Sequence, residues 1–200
     1  MFAFRPILAV LAVASLAVTN AHAQGRTSQA LTFSARGGGF SALSDLNDAG
    51  TLDSKTGYNI GGSLGFQINR HVVVRSDFTF GRDELRNGGV DTDTHLNKFI
   101  YTAALQLQQP FSNGVTPYLF AGGGGITVHE QGTSDIDKTK AAGVGGLGVR
   151  YQLGNSNWGV FTEGLGYLYK VRDFQGSLAG LDKTQFDLVW SGGISYLIGF

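Results

Sequence analysis

The 200-residue sequence predicts an all-β protein: eight antiparallel strands, joined up-and-down and closed into a transmembrane β-barrel. Three observations lead there. Large apolar residues recur at every second position in segment after segment, which is the period of a strand and not of a helix. The connections between these segments alternate long and short. The ionised residues inside the segments fall opposite the large apolar set. After the N-terminal region there is no long apolar run, so a membrane-crossing chain must satisfy its backbone by closing a sheet.

The N-terminal stretch "MFAFRPILAVLAVASLAVTNAHAQ" carries Arg5, an apolar core from Ile7 to Val18, and Ala21-His22-Ala23 before Gln24. That order reads as a cleaved secretory signal peptide over residues 1–23. The core is shorter than the roughly 20 residues a spanning helix needs. Residues 24–200 are then the barrel domain.

The first strand, "LTFSARGGG", directs Leu31, Phe33, Ala35 and Gly37 to one face. The second carries Tyr58, Ile60, Gly62, Leu64, Phe66 and Ile68. The third carries Val72, Val74, Ser76, Phe78 and Phe80, and the fourth Phe99, Tyr101, Ala103, Leu105 and Leu107. In the fifth, "TPYLFAGGGGITV", the same reading gives Tyr118, Phe120, Gly122, Gly124, Ile126 and Val128, with Leu119 and Ala121 blurring the phase. The sixth presents Gly145, Leu147, Val149, Tyr151 and Leu153; the seventh, Trp158, Val160, Thr162, Gly164, Gly166 and Leu168. The eighth, "FDLVWSGGISYLIGF", presents Phe186, Leu188, Trp190, Gly192, Ile194, Tyr196, Ile198 and Phe200.

Short connections are Asn69-Arg70-His71, Pro110 to Gly114, and Gly154 to Asn157, all rich in turn formers. Long polar ones run from about Ser44 to Thr56, Arg82 to Thr94, His129 to Thr139 and Val171 to Thr184. Four long loops at one end and short turns at the other is the plan of a bacterial outer-membrane barrel, with the long loops outside. Tyr58, Phe99, Tyr118, Trp158 and Phe200 fall near strand ends, where aromatic girdles meet the membrane interface.

A Lys or Arg facing lipid at mid-membrane costs about 2–4 kcal/mol. Arg36, Arg75, Asp77, Lys98, Arg150, Glu163 and Asp187 all take the opposite phase, so they are expected in the lumen. A soluble barrel with an apolar cavity would show the reverse. Eight strands leave an interior just wide enough for side chains to fill. The four bases are expected to pair with the three acids as a structural plug; the other reading is a gated ion path. The 31 glycines suit so narrow and tilted a wall.

Chemistry is sparsely encoded. Formal charge is zero, with no basic excess to attract nucleic acid. No cysteine means no disulfide and no thiol catalysis. "GVGGLG" at 143–148 has the glycine spacing of a dinucleotide loop, but the strand-like "VRYQLG" follows where a helix is needed. His71, His95 and His129 do not complete a zinc ligand set. No catalytic, cofactor or metal residues are assigned.

"PYLFAGGGG" at 117–125, "GVFTEGLGY" at 159–167 and the final "GISYLIGF" resemble the small eight-stranded outer-membrane barrels. These comprise the OmpA transmembrane domain, the OmpX group and opacity-type surface proteins. The resemblance covers residues 24–200; the peptidoglycan-binding domain of full-length OmpA is not expected here. It implies that Trp190, Ile194, Tyr196, Ile198 and Phe200 form the terminal signal read by the outer-membrane assembly machinery. One departure is a glycine displaced to Gly192–Gly193. Expected partners are outer-membrane lipid, lipopolysaccharide, that machinery, periplasmic chaperones and an unidentified ligand of the outer loops. The expected function is a non-enzymatic scaffold of the Gram-negative cell envelope that displays four loops for envelope integrity or surface adhesion. A porin-like channel for small solutes or ions is the alternative. A lipid A-modifying enzyme is the third reading, and no His–Ser pairing at the outer rim supports it.

Overall fold

The computed structural model describes residues 29–42, 52–87, 90–131, 136–171 and 183–199. The signal-peptide segment and Phe200 lie outside the described residues. Eight strands follow in chain order: β1 (Ala30–Ala42), β2 (Leu52–Asn69), β3 (Val72–Asn87), β4 (Val90–Gln108), β5 (Val115–Gln131), β6 (Ile136–Gln152), β7 (Trp158–Val171) and β8 (Lys183–Gly199). Each pairs antiparallel with its neighbours, and β1 pairs with β8 to close the barrel. Closure gives every strand two partners, so the wall has no open edge. No helix among the described residues is long and apolar enough to cross a membrane.

The strands run further toward the long-loop end than alternation suggests. β3 and β4 extend to Asn87 and from Val90, through most of the 82–94 stretch expected to be loop. β5 and β6 likewise consume most of 129–139. Polar, alternating residues can continue a ladder above a membrane, because backbone pairing does not require apolar side chains.

The short turns are held by local bonds. Asn69 Oδ1 accepts from the backbone N–H of His71 (2.8 Å) and of Val72 (3.0 Å). Gly114, with φ of 84°, takes a left-handed conformation that favours glycine, and its N–H donates to the Phe111 carbonyl at 3.1 Å.

Seven strands face as the alternation predicts. Phe33, Ile60, Phe78, Leu105, Leu147, Leu168, Trp190 and Ile194 are exposed on the outer surface. No ionised residue shares that face between the aromatic positions at its two ends. Toward the long loops, Tyr58, Phe80 and Phe99 form a continuous aromatic row, with ring centroids 6.3 and 5.1 Å apart. Toward the short turns, Trp158 and Tyr196 are 4.8 Å apart.

β5 is the correction. Its outward residues are Leu119, Ala121 and Gly123, while Phe120, Ile126 and Val128 are buried in the lumen and Tyr118 turns inward. Tyr118 is therefore not part of an outer girdle. Both phases of β5 contain large apolar residues, and four consecutive glycines carry no phase. What decides is the partner strand: Tyr118 lies opposite Gly148, and Phe120 opposite Gly146. A Cβ at Gly146 would lie 2.5 Å from Phe120 Cζ, and one at Gly148 would lie 2.6 Å from Tyr118 Cζ. The glycines of β6 make the room that the two inward rings fill.

Gly122 and Gly124 have a different task. A Cβ at either would collide with backbone carbonyls of β4, at Ala103 and Tyr101. Gly124→Val is expected to destabilise the barrel by about 1–3 kcal/mol through overpacking. Urea unfolding in detergent micelles checks this, with Gly123→Val as the control, since its Cβ would meet only the Ala142 carbonyl at 3.3 Å.

Candidate functional site

Between the two aromatic rows the strands' ionised groups lie in the lumen, where they are arranged in layers. Inward positions on β1, β3 and β7 build the middle layer. Arg36 Nη1 donates to Glu163 Oε1 at 2.5 Å and to Asp77 Oδ1 at 2.9 Å, while Nη2 donates to Thr79 Oγ1 at 2.6 Å. Arg75 grips Asp77 with two nitrogens, Nε to Oδ2 at 2.9 Å and Nη2 to Oδ1 at 2.5 Å. Its Nη1 reaches Glu163 Oε2 and Gln106 Oε1, each at 3.2 Å. Tyr118 donates to Glu163 Oε2 at 2.9 Å. Two guanidinium groups thus meet two carboxylates, all with side chains at most 5% exposed. Burial of ions is costly unless they are paired and hydrogen-bonded; here all four ions are paired, and Arg36 Nε is the atom of this layer left without a partner among the described residues.

Rings seal this layer. The Arg75 guanidinium lies 4.1 Å from the Phe120 centroid. Tyr167 is fully buried, its hydroxyl 3.2 Å from Thr79 Oγ1. Such cation–π contacts are worth about 2 kcal/mol or more when desolvated.

A second layer lies toward the long loops. Lys98 Nζ donates to Asp83 Oδ2 and Asp187 Oδ2, both at 3.0 Å. Tyr169 donates to Asp187 Oδ2 at 2.8 Å, and Gln185 Nε2 to Oδ1 at 3.3 Å. Phe40 packs beneath the ammonium, 4.6 Å from its centroid to Nζ.

Six of the seven ionised residues expected in the lumen are therefore in these two layers: Arg36, Arg75, Asp77, Lys98, Glu163 and Asp187. Arg150 is inward as well, but among the described residues it joins no carboxylate. It lines a polar cavity at the short-turn end, about 30 Å³ in volume, with Arg75, Glu163, Tyr118, Ser34, Ser63 and Ser195. That is room for one or two waters. Asp83 was invisible to the alternation, because it falls in the stretch expected to be loop. Tyr118, Phe120, Tyr167 and Tyr169 were missed because apolar rings on an inward face break the polar-inside rule. Tyr118 and Phe120 could have been sought through Gly146 and Gly148, since glycine pairs on one strand need bulky partners on the next.

Of the terminal-strand residues, Trp190, Ile194 and Ile198 are exposed outward and Tyr196 packs on Trp158. Phe200 is outside the described residues. "GVGGLG" lies wholly within β6. His71 sits in a turn, its Nδ1 3.2 Å from the Gln108 carbonyl. In the ladder, His129 faces Asn97, two positions from His95. Among the described residues no group of three potential ligands could hold a metal ion.

Solved structures of similar shape are small outer-membrane barrels. Neisserial surface protein A is 16% identical, with a TM-score of 0.57, covering 86% of this chain and 99% of that one. The outer membrane protein OprG of Pseudomonas aeruginosa is 13% identical, with a TM-score of 0.55, covering 87% and 98%. Ail, the attachment invasion locus protein of Yersinia pestis, is 12% identical, with a TM-score of 0.53, covering 86% and 100%. At such identity they establish the fold alone. No curated protein matches the chain in sequence. The family model described as the outer membrane protein beta-barrel domain matches residues 8–196. The chain belongs to that family and is an eight-stranded barrel of the outer membrane.

Proposed function

We propose that this protein is a non-enzymatic scaffold of the outer membrane, closed through its middle, which holds its outer loops at the cell surface for envelope integrity or adhesion. The supporting observation is the middle layer: Arg36, Arg75, Asp77 and Glu163, capped by Tyr118, Phe120 and Tyr167, form one bonded unit across the lumen. To pass ions, that unit would have to break several charge-assisted bonds at once, each stronger than an ordinary hydrogen bond. The polar cavity at the short-turn end favours the channel reading only as far as that layer. Residues 43–51, 88–89, 132–135 and 172–182, in the connections at the long-loop end, lie outside the described residues. Their proposed role rests on sequence, where both charge signs occur together ("HEQGTSDIDKTK"). Lipopolysaccharide and an external ligand are the partners this reading requires at the surface. The assembly machinery and periplasmic chaperones are those it requires on the way there, through the outward residues of β8.

The test is single-channel recording in planar bilayers. Wild-type protein is expected to show no steady conductance, and Arg75→Ala to open one by removing links to both acids. Steady wild-type conductance that changes with Glu163→Ala would establish the channel instead. Mass analysis of lipid A after expression tests the hydrolase reading, and an unchanged mass is expected.

A further inference from the structure

One lumen cation, Arg150, stands outside both bonded layers. Arg150 projects inward from β6 between Thr116 of β5 and Phe161 of β7, neither of them acidic. Glu163, the carboxylate on the same cavity wall, is already engaged by Arg36, Arg75 and Tyr118. A guanidinium does not deprotonate in a protein, so this site cannot become neutral by losing its proton. The lumen's four cations match its four carboxylates in number once Asp83 is counted, so what Arg150 lacks among the described residues is a local partner.

The opposite wall supplies donors. Ser63 pairs with Ser34, and Ser34 with Ser195, so the three lie side by side across β2, β1 and β8. All three line the Arg150 cavity. Among the described residues none of their hydroxyls has a hydrogen-bond partner, and each can turn its proton into the cavity. The available volume suits a monatomic ion or a water or two.

We propose that the short-turn mouth of the lumen is a binding site for a small inorganic anion of chloride size, held by Arg150 and the hydroxyls of Ser34, Ser63 and Ser195. The ion gives Arg150 a local counter-charge and sits beside the middle layer, whose Arg75 and Glu163 share the cavity wall. The site needs only the inward phase of these residues, and stands whether or not that layer conducts.

The test uses full barrel refolded in detergent and follows the temperature at which the compact gel band is lost. Sodium chloride is exchanged for sodium gluconate at fixed ionic strength, gluconate being too large for the cavity. Wild type is expected to gain about 3–5 °C at a tenfold chloride excess over its dissociation constant. Arg150→Gln is expected to abolish the gain and Arg150→Lys to keep part of it. The double variant S34A/S195A, which retains the cation, is expected to raise the half-saturating chloride severalfold, and it decides the matter if Arg150→Gln fails to refold. No chloride gain in wild type, the same gain in Arg150→Gln, or an unchanged half-saturation in the serine variant would each overturn the site.

Discussion

Glu163→Gln is expected to cost the folded barrel about 3–5 kcal/mol, the range for removing one partner of a buried charge pair. The substitution is nearly isosteric, so the loss is electrostatic. Glu163 accepts from Arg36, Arg75 and Tyr118. Without its charge, two guanidinium groups are left with the single charge of Asp77, inside a protein wall that excludes most water. Neither can shed its proton. The measurement is urea unfolding of barrels refolded into lipid vesicles, read by the fluorescence of Trp158 and Trp190 near the lipid. Arg150→Gln is the internal comparison: it breaks no ion pair among the described residues and is expected to cost well under half as much. A Glu163→Gln loss below about 1 kcal/mol would mean that water or ions reach the layer and that the plug is weaker than its bonds imply.

Ala121→Arg is expected to cost about 2–4 kcal/mol, the penalty for a cation on the lipid face near the membrane midplane. Ala121 lies outward on β5, beside Leu105 of β4 and Gly145 of β6, both also outward. Alternation in the sequence puts Ala121 in the lumen, so the two readings of β5 make opposite claims about one residue. Vesicle unfolding measures the cost. A nitroxide attached at Ala121→Cys reports the environment directly, through collision with oxygen dissolved in the bilayer. A label screened from lipid oxygen would return β5 to the phase that alternation assigns.

β5 shows where sequence reasoning reaches its limit. Seven strands have one phase that is clearly greasier, and in each the partition of side chains between lipid and lumen follows from desolvation alone. "PYLFAGGGG" has bulk in both phases and then nothing but hydrogen for side chains. Its facing was settled by Gly146 and Gly148 of the next strand, whose lack of Cβ is a property of the pair and not of either strand. Asp83 makes the same point differently. Its local sequence is charged and reads as loop, yet it sits on the inner face of an extended β3 and shares Lys98 with Asp187 of β8.

By itself the sequence determined that this chain is a closed barrel of eight strands, how its long and short connections alternate, and that its charges avoid lipid. Those properties are local or follow from counting: period two, turn residues, and the cost of an ion in hydrocarbon. Only the tertiary structure decided which charges meet, that Arg150 is left outside both bonded layers, and that aromatic rings share the lumen with ions. Each of these depends on the register between strands far apart in the chain. Glu163 and Arg36 are 127 residues apart and are brought together by the shear of the closed sheet, which no single segment encodes.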